Sequence, residues 1–266
     1  MSARPFVGLV TDFGRTDTYV GAMHAVIHGL APDARIVDLT HAVPAQNVAV
    51  GAWRIATAWD VLPPGAVVVG VVDPGVGSDR RGVAARIGDR WFVGPDNGLV
   101  SRVADRHGVD AAWVLGDDRW HRTPSSATFH GRDVFAPVAG HIVAGVDGAQ
   151  LGLALRPSDL VRLPPPLVER DGATLRAEIV DIDRFGNLIT AARSADLGGL
   201  ALHSVAGREI PRGRTFSDVA AGQFVAYVGS HDTVEVARRD GHAASALHLE
   251  VGDKLPFVLH DSHGGD

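Results

Sequence analysis

The chain reads as an α/β protein, with an N-terminal, largely parallel sheet flanked by helices and a smaller C-terminal antiparallel β-barrel domain. Three observations point there. Residues 67–72 are β-branched except for Gly70, the composition of a strand buried on both faces of a parallel sheet. Up to that run, strand-like and helix-like segments alternate β-α-β-α-β, which calls for right-handed crossovers with helices on both faces. Beyond residue 172 helical periodicity fades, and short β-like runs at 174–182, 185–190, 224–228 and 233–237 lie between glycine turns.

In order, residues 6–10 form the first expected strand, and Thr11-Asp12-Phe13-Gly14 a loop at its carboxyl end. Thr16 or Asp17 can cap a helix whose apolar face is Val20, Met23, Ile27 and Leu30. A strand at 35–39 follows. Asn47 can cap a second helix with Val48, Ala52, Ile55, Trp59 and Leu62 on one face, ended by Pro63-Pro64-Gly65. After strand 67–72 comes Asp73-Pro74-Gly75, where the ladder stops and a turn begins. Arg80 lies beyond a glycine loop able to fold it back toward Asp73. Residues 82–87 and 90–93 suit a hairpin around Gly88-Asp89, and 112–115 a further strand. Residues 128–133 lead into a helix over 134–144. The expected organisation is a domain over 1–156, a proline-rich linker over 157–172 and a second domain over 173–266.

The 266 residues, 45% hydrophobic and 21% charged, suit a globular protein with a sizeable core. A net charge of -6 with no basic stripe argues against a nucleic-acid partner. Lys254 is the only lysine. The absence of cysteine removes disulfides, thiolate ligands and thiol nucleophiles. No stretch is long and apolar enough to span a membrane, and the N-terminal apolar run is too short for a signal peptide, so the cytoplasm is expected. There is no phosphate-binding G-x-x-x-x-G-K-[ST] loop, no G-x-G-x-x-G after a strand, no H-E-x-x-H and no G-x-S-x-G.

In open α/β sheets, ligands bind at the carboxyl ends of the strands. Asp12 and Asp73 sit at two such ends, and a third polar loop carries His130. An acid, an arginine and an imidazole together suit the handling of a proton or a small nucleophile. With thirteen histidines in the chain, His130 also has an ordinary structural reading. A metal site from Asp12, Asp73, Asp96 and His130 is conceivable, but the spacing matches no established ligand pattern.

Taken together, five segments resemble the S-adenosyl-L-methionine (SAM) hydrolases, or SAM hydroxide adenosyltransferases, relatives of the fluorinase and chlorinase. They are Thr11-Asp12-Phe13-Gly14, Val72-Asp73-Pro74-Gly75-Val76-Gly77, Gly94-Pro95-Asp96-Asn97-Gly98, Thr128-Phe129-His130-Gly131-Arg132-Asp133 and Asp183-Arg184-Phe185-Gly186-Asn187. The resemblance implies a trimer with sites between subunits. It implies attack of activated water on ribose C5′, expelling methionine and leaving adenosine, with no cofactor and no metal. It implies a catalytic set of Asp73, Arg80 and His130, with Asp12 on the ribose hydroxyls and Asp17 near the methionine amino group. Thr128 and Phe129 fall among the substrate contacts, as do Asp183, Phe185, Asn187 and Ser230 from the second domain. One departure stands out: the family's Asn-Ser-x-Gly stretch is Gly229-Ser230-His231-Asp232 here. A charged Asp73 beside the nucleophile is also expected to repel a halide, by about 4 kcal/mol at 4 Å and an effective dielectric of about 20. The competing readings are a metal-dependent nucleotide hydrolase and a non-catalytic SAM or adenosine binder.

Overall fold

The computed structural model describes residues 5–198 and 201–260. It divides into two compact units, residues 1–163 and 164–266. The division falls inside the expected linker. The first part of that segment packs on the first unit, where Val161 N–H donates to Asp96 Oδ1 (2.8 Å) and Leu163 N–H to Ser101 Oγ (2.8 Å).

The first unit runs β1 (Phe6–Thr11), α1 (Tyr19–Leu30), β2 (Arg35–Thr40), α2 (Val48–Trp59), β3 (Val67–Val71), β4 (Gly82–Ile87), β5 (Arg90–Pro95), α3 (Ser101–His107) and β6 (Ala111–Val114). A π-helical turn, Gly131–Phe135, then leads into α4 (Ala136–Val143), α5 (Gly148–Leu151) and β7 (Leu153–Leu155). Its seven-stranded sheet has the order β2-β1-β3-β5-β4-β6-β7. The pairs β1–β2, β1–β3 and β3–β5 are parallel, whereas β4–β5, β4–β6 and β6–β7 are antiparallel. The sheet is therefore parallel in one half only, because the two-residue hairpin turn at Gly88-Asp89 can join only antiparallel neighbours.

Every residue of β3 is buried, as its β-branched run requires. Val7, Leu9, Val67, Val69 and Val71 share a core with Met23 and Ile27 of α1 and with Phe135 and Val138. Full burial of each such side chain stabilises by roughly 1.5–3 kcal/mol. Asn47 caps α2 as expected, its Oδ1 accepting from Val50 N–H (3.0 Å), a contact worth about 1 kcal/mol. Helix α1 starts later than the sequence suggests. Thr18, not Thr16 or Asp17, is its N-cap residue, and it makes no side-chain cap.

The second unit is an antiparallel sheet of β8 (Val168–Asp171), β9 (Thr174–Ile182), β10 (Leu188–Arg193), β11 (Ala201–Val205), β12 (Arg208–Glu209), β13 (Phe224–Val228), β14 (Thr233–Arg238) and β15 (Lys254–His260), with α6 (Ala243–Leu247) inserted. Its main path is β12-β11-β15-β9-β10-β14-β13, with β8 beside β9. Alternate residues of β9 and β10 point inward to a core that includes Leu175, Ala177, Ile179 and Leu188. Lys254 opens β15, exposed and opposite Glu178. Among the described residues, no helix is long and apolar enough to cross a membrane.

Candidate active site

Strand β3 delivers Asp73 to the carboxyl edge of the parallel half, with its side chain 5% exposed. Two successive turns reverse the chain beyond it: Val76 N–H donates to Asp73 O (3.2 Å) and Ser78 N–H to Gly75 O (3.1 Å). Gly77 makes this reversal possible. Its φ is +81°, and a Cβ there would lie 2.8 Å from the carbonyl oxygen of Ala127. Arg80 thereby returns onto Asp73. Its Nε donates to Oδ1 (2.9 Å) and Oδ2 (3.1 Å), and its Nη2 to Oδ2 (2.5 Å).

The same Nη2 lies 2.7 Å from His130 Nδ1. A guanidinium can only donate, so Nδ1 is the acceptor and the neutral ring carries its proton on Nε2. Burial, then the charge of Arg80, lowers the His130 pKa, against the opposing pull of Asp73. The imidazole is therefore neutral at pH 7, and protonation would set two cations face to face. If neutral His130 is needed for turnover, kcat/KM should fall on the acid side with a midpoint below the ordinary histidine value of 6.5. An acid limb centred above that value, in a full pH–rate profile, would contradict this.

The first unit holds a cavity of about 500 Å³ against these groups, lined by Asp12, Asp73, Thr128, Phe129 and His130 of the expected set. Arg80 stands behind Asp73 and His130. Asp12 Oδ2 accepts from Gln46 N–H (2.8 Å). Asp17 lies exposed ahead of α1, outside the lining. The lining also contains Phe13, Tyr19, Gln46, Ser126 and Arg132, which the sequence reading does not single out. An aromatic residue in an otherwise polar loop was the available signal for Phe13, and an exposed aromatic at the start of α1 the signal for Tyr19. Both rings contact Phe129, at centroid distances of 5.9 and 5.1 Å. Asp133, fully buried, holds the 122–128 loop by accepting from Ser126 N–H (2.8 Å) while paired with Arg132 (2.7 Å).

Asp96 is turned to other work: Arg81 Nε donates to it (2.9 Å), as does Val161 N–H. Among the described residues, no three His, Asp or Glu side chains are arranged to hold a metal ion.

In the second unit, Asp183 organises its own turn. Its Oδ1 accepts from the N–H groups of Phe185 and Asn187 (2.9 Å each), and its Oδ2 from Asn187 Nδ2 (2.8 Å). Phe185, 73% exposed, and Asn187, 4% exposed, line a second cavity of about 550 Å³ with Phe216 and Arg238. Ser230 is exposed and outside that lining. At Gly229 a Cβ would fall 1.9 Å from Oε1 of the buried Glu235, so an asparagine there would require the end of that side chain to shift.

The chain is similar to known proteins over most of its length. The SAM hydroxide adenosyltransferase N-terminal domain model matches residues 7–152, and the C-terminal domain model residues 177–256. An (R)-S-adenosyl-L-methionine hydrolase of Salinispora arenicola is 44% identical over 257 residues, covering 96% of this chain and 98% of its own. A fluorinase of Actinopolyspora mzabensis is 27% identical over 287 residues, covering 94% and 96%. Among solved structures, an uncharacterised conserved protein of Thermotoga maritima superposes with a TM-score of 0.88 at 30% identity, covering 95% of this chain and 99% of its own.

Proposed function

The chain belongs to the SAM hydroxide adenosyltransferase family, and from that premise we propose that it hydrolyses SAM to adenosine and L-methionine through the cavity at Asp73. One observation carries the assignment of roles: a single guanidinium, Arg80, joins a carboxylate to an imidazole of fixed tautomer at that cavity. In the proposed step, a water oxygen forms a bond to ribose C5′ as the C5′–sulfur bond breaks. The sulfur keeps the electron pair and methionine leaves neutral at that atom. Because the leaving thioether is neutral, no general acid is required, and the water's proton passes along its hydrogen bond to Asp73 and on to solvent. Asp73 accepts a hydrogen bond from the water and aims its lone pair, and Arg80 stabilises the hydroxide character that grows in the transition state. His130 presents Nε2–H as a donor. Asp12, with Oδ2 already held by Gln46 N–H, receives the ribose hydroxyls. Alignment of this kind supplies roughly 7–11 kcal/mol.

The close pairing of Asp73 with Arg80 revises the halide expectation. The carboxylate shares its charge with a guanidinium, so like-charge repulsion is no longer a sufficient reason for water to be preferred. The metal-dependent nucleotide hydrolase is not favoured, since Asp96 is committed to Arg81.

On the family resemblance, we further propose a homotrimer in which Asp183, Phe185, Asn187 and Ser230 of one subunit complete the site of a neighbour. In this reading the second unit's sheet closes as a barrel, Asp17 meets the methionine end, and the proposed compartment is the cytoplasm.

The test is incubation with SAM in H₂¹⁸O, with label expected in the 5′-hydroxyl of adenosine by mass spectrometry. Methylthioadenosine or S-adenosylhomocysteine as the main product would sink the reading. The Salinispora relative's name already fixes the methionine carbon as L, so its R descriptor refers to the sulfonium. The two sulfonium epimers should therefore be assayed separately.

A further inference from the structure

We propose that His41, which does not line the cavity, is a positioning residue that clasps the Thr11–Gly14 loop and so fixes Asp12. This rests on the reading of Asp12 as the ribose-binding carboxylate. The His41 side chain is 1% exposed, and a buried imidazole is costly unless its polar atoms are engaged. Its Nδ1 lies 2.8 Å from Thr11 Oγ1. Its Nε2 lies 3.1 Å from Asp38 Oδ1, off the line of a full hydrogen bond. That same carboxylate oxygen is 2.7 Å from His24 Nε2.

With the His41 proton on Nε2, facing the Asp38 carboxylate, Nδ1 accepts from the Thr11 hydroxyl. The Thr11 oxygen is then free to accept from Phe13 N–H (3.2 Å). His41 also holds the loop by its backbone, its carbonyl accepting from Gly14 N–H (2.8 Å). One residue thus grips the loop on both sides of Asp12, by its side chain before and its main chain after. Only the side-chain grip can be removed by substitution, which makes it testable. Nothing in Thr-His at the end of a strand signals this in sequence, because the partners lie on β1, β2 and α1.

The experiment measures KM and kcat for SAM in His41→Gln, His41→Asn, Thr11→Val, Asp12→Ala and the His41→Gln/Asp12→Ala double variant. Glutamine places an amide where Nε2 was and loses the Thr11 contact, whereas asparagine places one where Nδ1 was and keeps it. His41→Gln should raise KM about tenfold, the effect of one aligned hydrogen bond, with kcat changed less than about threefold. His41→Asn should restore most of the loss. Thr11→Val, which keeps the shape and removes the hydroxyl, should reproduce the rise in KM and stands in for His41→Gln if that variant fails to fold. In the Asp12→Ala background, His41→Gln should add no further rise in KM. Equal defects in the glutamine and asparagine variants, or additive effects with Asp12→Ala, overturn the positioning role alone. An Asp12→Ala variant with unchanged KM overturns the ribose reading, and the role of His41 falls with it.

Discussion

Arg80→Ala and Asp73→Asn should each lower the turnover of SAM by roughly 10²-fold or more, with a much smaller change in KM. The asymmetry follows from when each contact matters. In the proposed mechanism neither group holds the ground-state substrate, while both act on charge that appears as the oxygen attacks. In Arg80→Ala, the Asp73 carboxylate, 5% exposed, loses its counter-charge, and His130 Nδ1 loses its donor in the same stroke. In Asp73→Asn, an amide faces the Arg80 donors and accepts at one atom in place of two. Arg80→Lys should fare poorly as well, because a compact ammonium cannot span both carboxylate oxygens and the imidazole. Steady-state kinetics beside calorimetric SAM binding tests this. Near-normal kcat in both Arg80→Ala and Asp73→Asn would refute the assignment.

The second expected result comes from mixing two inactive proteins. Asp73→Asn is expected to disable the first unit's cavity. Asn187→Ala removes the amide that donates to Asp183 and lines the second unit's cavity. If one subunit's first unit works with a neighbour's second unit, exchange between the two variants creates sites with both halves intact. Random one-to-one exchange in a closed ring makes that about a quarter of the sites. Activity should rise from near background to about that fraction of wild type, tracked against exchange followed by native mass spectrometry. Complete exchange with no recovery would exclude shared sites.

What sequence reading recovers depends on how local the physics is. The buried strand at 67–72, the Asn47 cap, the hairpin at Gly88-Asp89 and the return of Arg80 onto Asp73 are decided by residues within a few positions of one another. Each is visible as composition or turn chemistry, and each has its counterpart in the structure. His130 reaches Arg80 across fifty positions; the residues alone offered it as one candidate among thirteen histidines, and the resemblance assigned it to the catalytic set. Gln46 and His41 were missed because their roles are long-range: a backbone N–H offered to Asp12 and a ring packed on Thr11. The start of α1 was also misplaced. Thr16 and Asp17 suit a cap by composition, but the loop tied to His41 and Gln46 reaches Gly14, and residues 15–18 intervene before the helix begins at Tyr19.

Lys254, exposed at the start of β15 and outside the lining of both cavities, has a consequence for reagent chemistry. It is the only side-chain amine in a chain without cysteine, so an activated ester has one side-chain target. With the α-amino group blocked first, one variant can carry a donor dye there and the other an acceptor, each at a single defined position. Energy transfer between them would report subunit exchange in real time, while a cysteine introduced elsewhere would be the only thiol and could take an independent probe.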